Sequence, residues 1–156
     1  MSACAESLNP LAIPVCRTDP CFLDTSALYA VFDRAQSRSA AAVAAWEELV
    51  RSEAPLVTSN YVLWELTALL QRRLSLEGLA ALQEFVLPWV EVAWVDPHLH
   101  DLASGVLLSA RRRDLSLVDC ASFALMRARG LRRAFTLDRH FAEQGFACLP
   151  DVLRLD

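Results

Sequence analysis

Four acidic residues stand in places where their carboxylates could share one cation. Asp24 closes the apolar run Cys21-Phe22-Leu23, and Asp138 closes a second run that ends Phe135-Thr136-Leu137. Asp119 falls in the first turn of a predicted helix, and Glu65 on a helix that begins directly after a predicted strand. In an open parallel sheet, ligand sites form at the carboxyl ends of the strands, so these positions can converge. Carboxylates brought together repel one another and take up protons unless a cation neutralises them. A set of Asp and Glu without Cys or His favours hard cations, Mg²⁺ or Mn²⁺. Such centres suit phosphate esters, because the metal activates water and offsets charge on the attacking and leaving oxygens. A plainer reading competes at each position. Asp24 or Thr25 can cap the following helix, Ser116-Leu117-Val118-Asp119 resembles a capping box, and Glu65 can be a solvated helix residue.

The elements that would position these acids alternate between short apolar runs and helical periodicities, the pattern of an α/β fold. Cys21 to Leu23 reads as a buried strand and Ser26 to Asp33 as a short helix. Ser37 to Arg51 is a second helix, capped by Ser37 or Ser39. Pro55 to Thr58 reads as a strand, and Ser59-Asn60 opens a strong helix from Tyr61 to Arg73. Ser75 to Trp89 carries Leu76, Leu79, Leu82, Phe85 and Val86 at helical spacing, predicting one amphipathic helix. Val90 to Val95 reads as a strand, and Asp96-Pro97 starts a helix that reaches about Arg113. Leu117 to Arg129 is the next helix, stopped by Gly130. A strand centred on Ala134-Phe135-Thr136 and a final edge strand from Ala147 to Leu149, with Val152 to Leu155 behind it, complete the chain.

Composition narrows the chemistry. The chain has 156 residues and is 54% hydrophobic, with a mean hydropathy of +0.28. That length suits one domain with a real core, and the surplus apolar surface points to a dimer or partner contact. No apolar run reaches the roughly 18 residues needed to cross a bilayer. Residues 1–19 do not have the layout of a signal peptide and read as a poorly ordered extension before a single domain over residues 20–156. The five cysteines show no CxxC pair and several lie in apolar runs, which suits a reducing, cytoplasmic setting. Every basic residue is Arg. The absence of Lys excludes a Walker phosphate loop and Schiff-base chemistry, and four scattered glycines exclude GxGxxG and GxSxG motifs. The net charge of −4 argues against charge-driven nucleic-acid binding. His98 and His100 diverge on a helix and read as surface residues, so zinc is not expected.

The order of the motifs resembles the PIN domain family, in particular the VapC toxins of bacterial toxin–antitoxin pairs. The matching pieces are Leu23-Asp24-Thr25-Ser26-Ala27-Leu28, Val62-Leu63-Trp64-Glu65-Leu66, Leu115-Ser116-Leu117-Val118-Asp119, and Phe135-Thr136-Leu137-Asp138-Arg139-His140-Phe141. The resemblance runs from residue 21 to about 150. It implies a three-layer α/β/α sandwich with a mainly parallel sheet, and a Mg²⁺-dependent ribonuclease in which Mn²⁺ can substitute. It implies Asp24, Glu65, Asp119 and Asp138 as metal-binding acids, with the hydroxyls of Thr25, Ser26 and Thr136 supporting them. It also implies an RNA substrate, a cognate antitoxin and a homodimer.

Some residues lie outside that pattern. Arg111, Arg112, Arg113, Arg127, Arg129, Arg132 and Arg133 could grip phosphates, or serve helix ends and solvation. Arg139, next to Asp138, stands nearest the expected substrate path, and Arg113 is a second candidate. His140 is expected to pack or face solvent, with proton transfer as the other possibility. The helices from Tyr61 to Trp89, with Trp64, Phe85 and Trp89, are candidates for dimer or antitoxin contact, against ordinary core. Haloacid-dehalogenase-type phosphatases also place an Asp after the first strand, but need a second Asp where this chain has Ser26. A PIN nuclease of RNA processing without an antitoxin, and a catalytically dormant PIN-like interaction module, are the other readings.

Overall fold

A computed structural model describes residues 15–154. Five strands form one sheet: β1 (Cys21–Leu23), β2 (Leu56–Ser59), β3 (Val90–Ala93), β4 (Arg133–Phe135) and β5 (Ala147–Leu149). Their order is β3-β2-β1-β4-β5, and every pairing is parallel. The sheet expected to be mainly parallel is therefore wholly so. The helices are α1 (Thr25–Phe32), α2 (Ser39–Ser52), α3 (Asn60–Arg73), α4 (Leu76–Ala81), α5 (Pro97–Ala110), α6 (Leu117–Ala128) and α7 (Arg139–Glu143).

The central strand explains the short, uninterrupted apolar run. Cys21, Phe22 and Leu23 are fully buried. Successive strand side chains point to opposite faces, so both faces of the sheet are covered, as parallel sheets require. From β1 the chain builds outward through β2 and β3, then crosses back to add β4 and β5 on the other side. This makes the β1/β4 boundary the topological switch point, where the crevice of an open parallel sheet lies.

Local chemistry fixes most helix starts. The Ser59 side chain accepts from the Val62 N–H at 3.1 Å, capping α3. Asp96 caps α5 through the Leu99 N–H at 2.8 Å, ahead of Pro97. Gly130 takes a φ of 66° just past α6, the left-handed conformation that ends a helix. Two expectations are corrected. Neither Ser37 nor Ser39 caps α2; Arg38 holds the cap position without a side-chain bond, and the Ser39 hydroxyl is buried and unpartnered. The helix expected over Ser75 to Trp89 is broken into α4, a π turn over Leu82–Val86 and a 3₁₀ turn over Leu87–Trp89. Pro88 cannot donate the backbone bond an α-helix needs there. Only Leu82 and Val86 of that stretch are buried, while Leu76 and Phe85 are exposed. At the C-terminus Val152–Arg154 forms a 3₁₀ turn; Leu155 lies outside the described residues.

Of the expected N-terminal extension, residues 1–14 lie outside the described residues. Residues 15–19 end in a turn whose Asp19 carboxylate accepts from Arg132 at 2.8 Å and whose Asp19 carbonyl accepts from Arg133 at 2.9 Å. Cys16, Cys21, Cys120 and Cys148 are free thiols, and burial pushes Cys21 up to about 12. No helix among the described residues is long and apolar enough to cross a membrane.

An aromatic cluster ties α7 to the sheet. Phe141 is fully buried; its ring lies 6.4 Å from Phe22, 4.8 Å edge-on from Phe123 and 6.2 Å from Phe146. α7 is too short to be stable alone, so this packing holds it. Replacing Phe141 with Ala is expected to cost about 3–5 kcal/mol. Urea denaturation monitored by circular dichroism measures it, and a loss under 1 kcal/mol would show that α7 does not depend on the cluster.

Candidate active site

Three of the four acids stand at helix starts facing the switch point. Asp24 is the N-cap of α1, Asp138 the N-cap of α7, and Asp119 the third residue of α6. The capping expectations are therefore correct and do not displace the chemical one. A cap bond fixes a carboxylate's direction, and each carboxylate retains acceptor capacity.

Asp24 is the most constrained. It is 4% exposed. Its Oδ2 accepts from the Ser26 hydroxyl at 2.5 Å, the Thr136 hydroxyl at 2.9 Å and the Ser26 N–H at 3.2 Å. Parallel register makes this possible: Leu23 pairs with Phe135, so the residues that follow each strand meet side by side. The two hydroxyls lie 3.2 Å apart. Ser26 Oγ also accepts from the Leu137 N–H at 2.9 Å, and Thr136 Oγ1 from the Asp138 N–H at 3.0 Å. One network thus sets Asp24 and the backbone leading to Asp138 together. Thr25, the third hydroxyl expected near the site, makes no such bond; its Oγ1 is buried without a partner.

Asp119 sits in a complete capping box. The Asp119 N–H donates to Ser116 Oγ at 3.0 Å, and Asp119 Oδ2 accepts from the Ser116 N–H at 2.8 Å. Asp138 accepts from the His140 N–H at 2.9 Å. Asp119, Asp138 and His140 offer ligand-type atoms that all lie within 4.8 Å of one another. Asp24 is electrostatically coupled to Asp119, and Asp119 to Asp138. Neither Asp24 nor Glu65, which is half-buried on α3, is a member of the 4.8 Å group. Arg139 is exposed on α7, and Arg113 is exposed in the turn after α5.

His140 neither packs passively nor faces solvent. Its Nδ1 lies 3.2 Å from Asp138 Oδ2 and its Nε2 3.0 Å from Asp114 Oδ2. Arg112 binds Asp114 through two nitrogens, at 3.2 and 2.8 Å, and Glu143 at 2.8 Å. Asp114 was not identifiable beforehand. The only signal is its place beside the arginine run Arg111-Arg112-Arg113, 26 positions from its histidine. Several of these arginines make contacts within the protein. Besides Arg112, Arg127 bonds Gln144 and lies over the Phe146 ring, Arg129 pairs with Glu91, Arg132 with Asp19, and buried Arg133 donates to the Arg17 and Asp19 carbonyls. His100 is likewise half-buried, its Nδ1 2.5 Å from the Tyr61 hydroxyl.

The electrostatics are those of a site short of positive charge. Burial pushes Asp24 up to about 6; the bonds from Ser26 and Thr136 oppose the rise and the Asp119 charge adds to it. Burial also raises Asp119, against its Ser116 bonds and reinforced by Asp138. Burial lowers His140, but the bond to Asp114 and the Asp138 charge outweigh it, and the imidazole ends above its ordinary value. The Arg112 and His140 bonds hold Asp114 well below the usual carboxylate range.

The PIN domain family model matches residues 21–147. The chain belongs to the PIN domain family. It is 35% identical over 127 residues to the 23S rRNA-specific endonuclease VapC20 of Mycobacterium tuberculosis, spanning 80% of this chain and 94% of that one. The crystal structure of VapC20, described as a sarcin–ricin loop cleaving toxin, superposes with a TM-score of 0.72 at 32% identity, covering 81% of this chain and 96% of that one. FitAcB from Neisseria gonorrhoeae shares the fold at a TM-score of 0.64 and 15% identity, over 86% of this chain and 99% of that one. VapBC2 from Rickettsia felis, bound to a promoter DNA fragment, does so at 0.60 and 13%, over 83% and 96%. This PIN protein is a VapC-like endoribonuclease, and its acidic cluster lies where a parallel sheet places its ligands.

The raised Asp24 pKa gives a stability test. An acid whose folded pKa lies above its unfolded value binds protons more readily when folded, so stability falls as pH rises from about 3.8 toward 6. With no metal present, Asp24→Asn is therefore expected to raise stability at pH 7.5 by on the order of 3 kcal/mol. The gain should shrink as pH approaches 4. Chemical denaturation in EDTA at both pH values reads it, and a variant less stable than wild type at pH 7.5 contradicts the buried-charge account.

Proposed function

We propose that this PIN domain, over residues 20–156, is the toxin of a toxin–antitoxin pair and cleaves 23S rRNA at the sarcin–ricin loop using Mg²⁺, with Mn²⁺ able to substitute. The observation that carries this is the acidic cluster at the β1/β4 switch point, built by the Ser26–Asp24–Thr136 network and the Ser116–Asp119 capping box. The rRNA target follows from the 35% identical relative. An antitoxin and a homodimer are the partners this family reading supplies, and the cytoplasm is the compartment where rRNA is met.

The donor set fits a hard divalent cation. Its carboxylates offer oxygen ligands beside the His140 imidazole, and burial raises Asp24 and Asp119, a cost that an added cation would oppose. Asp24, Asp119 and Asp138 would hold the ion, with Glu65 contributing through water or a second ion. When bound, the ion supplies a nucleophilic water and offsets charge on the phosphodiester oxygens. The rest falls to the chain. Ser26 and Thr136 aim Asp24 by donating to Oδ2. Ser116 fixes Asp119, and the Asp114–His140 pair holds Asp138 in place. Such supports keep ligands at productive geometry, and their loss typically costs ten- to a hundredfold in metal affinity or activity.

Asp24→Asn and Asp119→Asn are each expected to abolish cleavage of a sarcin–ricin hairpin while the protein stays folded. Calorimetry should show Mn²⁺ binding in wild type and none in the double variant. Cleavage at wild-type rate by either folded variant would remove these residues from the mechanism. Thr136→Val removes one donor to Asp24 and should lower kcat roughly tenfold or more. Unchanged turnover would reduce the hydroxyl network to a structural role.

A further inference from the structure

Among the described residues, the group of ligand-type side chains at the site includes one nitrogen donor, His140. Its side chain is 14% exposed, and its Nδ1 faces Asp138, 3.0 Å from Oδ1 and 3.2 Å from Oδ2. Nε2, across the ring, lies 3.0 Å from Asp114 Oδ2. Asp114 stands in the turn between α5 and α6. It already receives two N–H groups from Arg112, at 3.2 and 2.8 Å. It therefore meets His140 as a carboxylate, which can only accept, and Nε2 carries a proton.

This is the surrounding of a histidine that holds a metal. Metal-ligating histidines almost always donate their second N–H to a carboxylate or carbonyl. That bond fixes the tautomer and the ring's direction and makes the other nitrogen a better ligand. Asp114 supplies it here. Arg112 braces Asp114 and also donates to Glu143 of α7 at 2.8 Å, so the turn and the helix that carries His140 are tied together. The spacing suits an ion as well. Adjacent ligands of an octahedral cation with bonds of about 2.1 Å stand about 3 Å apart. Nδ1 and the nearer Asp138 oxygen are separated by 3.0 Å. Asp119 adds an oxygen within 4.8 Å of both residues' ligand atoms.

We propose that His140 Nδ1 is a ligand of the metal together with Asp119 and Asp138, and that Asp114 is the positioning residue that holds the imidazole toward the ion. The ligand set is then mixed oxygen and nitrogen, where the sequence suggested carboxylates alone. Imidazole suits the later first-row metals better than Mg²⁺, so His140 tilts the site toward Mn²⁺. On binding, the proton between Nδ1 and Asp138 leaves to water, and both atoms turn lone pairs to the ion. The inference rests on the metal-dependent reading above and adds a ligand to it.

The test uses the whole protein without RNA. Mn²⁺ is bound to wild type, His140→Asn and Asp114→Asn, and pulsed electron paramagnetic resonance reads whether an imidazole nitrogen is attached to the metal. Calorimetry with Mn²⁺ and with Mg²⁺ gives the affinities, and circular dichroism checks the fold. Asn at position 140 keeps an N–H to hold Asp138 but lacks the imidazole nitrogen. Wild type is expected to show nitrogen modulation, and His140→Asn none. Mn²⁺ affinity should fall roughly tenfold or more in both variants, with a smaller loss for Mg²⁺ in His140→Asn. Wild type that binds Mn²⁺ without nitrogen modulation would overturn the proposal and leave the carboxylate site standing, and that result needs no variant. Modulation that persists in folded His140→Asn, or equal losses of Mn²⁺ and Mg²⁺ affinity there, would return His140 to a support of Asp138 and also overturn it. Wild type that binds no Mn²⁺ would overturn the metal-dependent reading and this inference with it.

Discussion

A carboxylate buried at the end of the central strand costs free energy that the surrounding fold has to offset. Asp24 is 4% exposed and accepts three hydrogen bonds at one oxygen. Two of those donors are local, from Ser26 in the first turn of α1, and the third, the Thr136 hydroxyl, reaches Asp24 only because β1 and β4 are paired in register. The bonds lower the cost and do not remove it, since the group remains raised to about 6. The site is therefore held together by the fold rather than by its own attractions. This is the familiar exchange in which a preorganised, destabilised centre is retained for chemistry.

The helix starts make that arrangement economical. Asp24, Asp119 and Asp138 each bond a backbone N–H near a helix N-terminus, where the partial positive charge of the helix end favours a carboxylate. Capping fixes direction, and the parallel sheet fixes position. The same residue thus ends a strand, begins a helix and faces the crevice. Capping and catalysis are not rival explanations here, because a bond at one lone pair leaves others to meet a cation.

Outside the acids, the molecule spends its charge on itself. The arginines that look available in sequence brace α7, β4 and the turn before β1. Asp114 and Arg112 reach His140, which reaches Asp138, so a chain of ion pairs running from half-exposed groups ends at the site. Large apolar side chains are also left outside: Trp64, Trp89 and Trp94 stand largely in water.

The sequence by itself determined the alternation of strands and helices, the acids at strand ends and the capping signals. All are local matters: a run of buried residues, a Ser or Asp before a helix, a Gly that accepts positive φ. The breaks in the stretch from Ser75 to Trp89 were not legible, because the periodicity of Leu76, Leu79, Leu82 and Phe85 does not register which turns meet the core. Nor were the contact of His140 with Asp114 and that of Arg133 with the Arg17 carbonyl, which join residues 26 and 116 positions apart. Only the tertiary structure decided that Ser26 and Thr136, rather than Thr25, hold Asp24. The register between β1 and β4 brings the Thr136 hydroxyl, 112 positions away, to the oxygen that Ser26 meets locally, and no local pattern encodes a register.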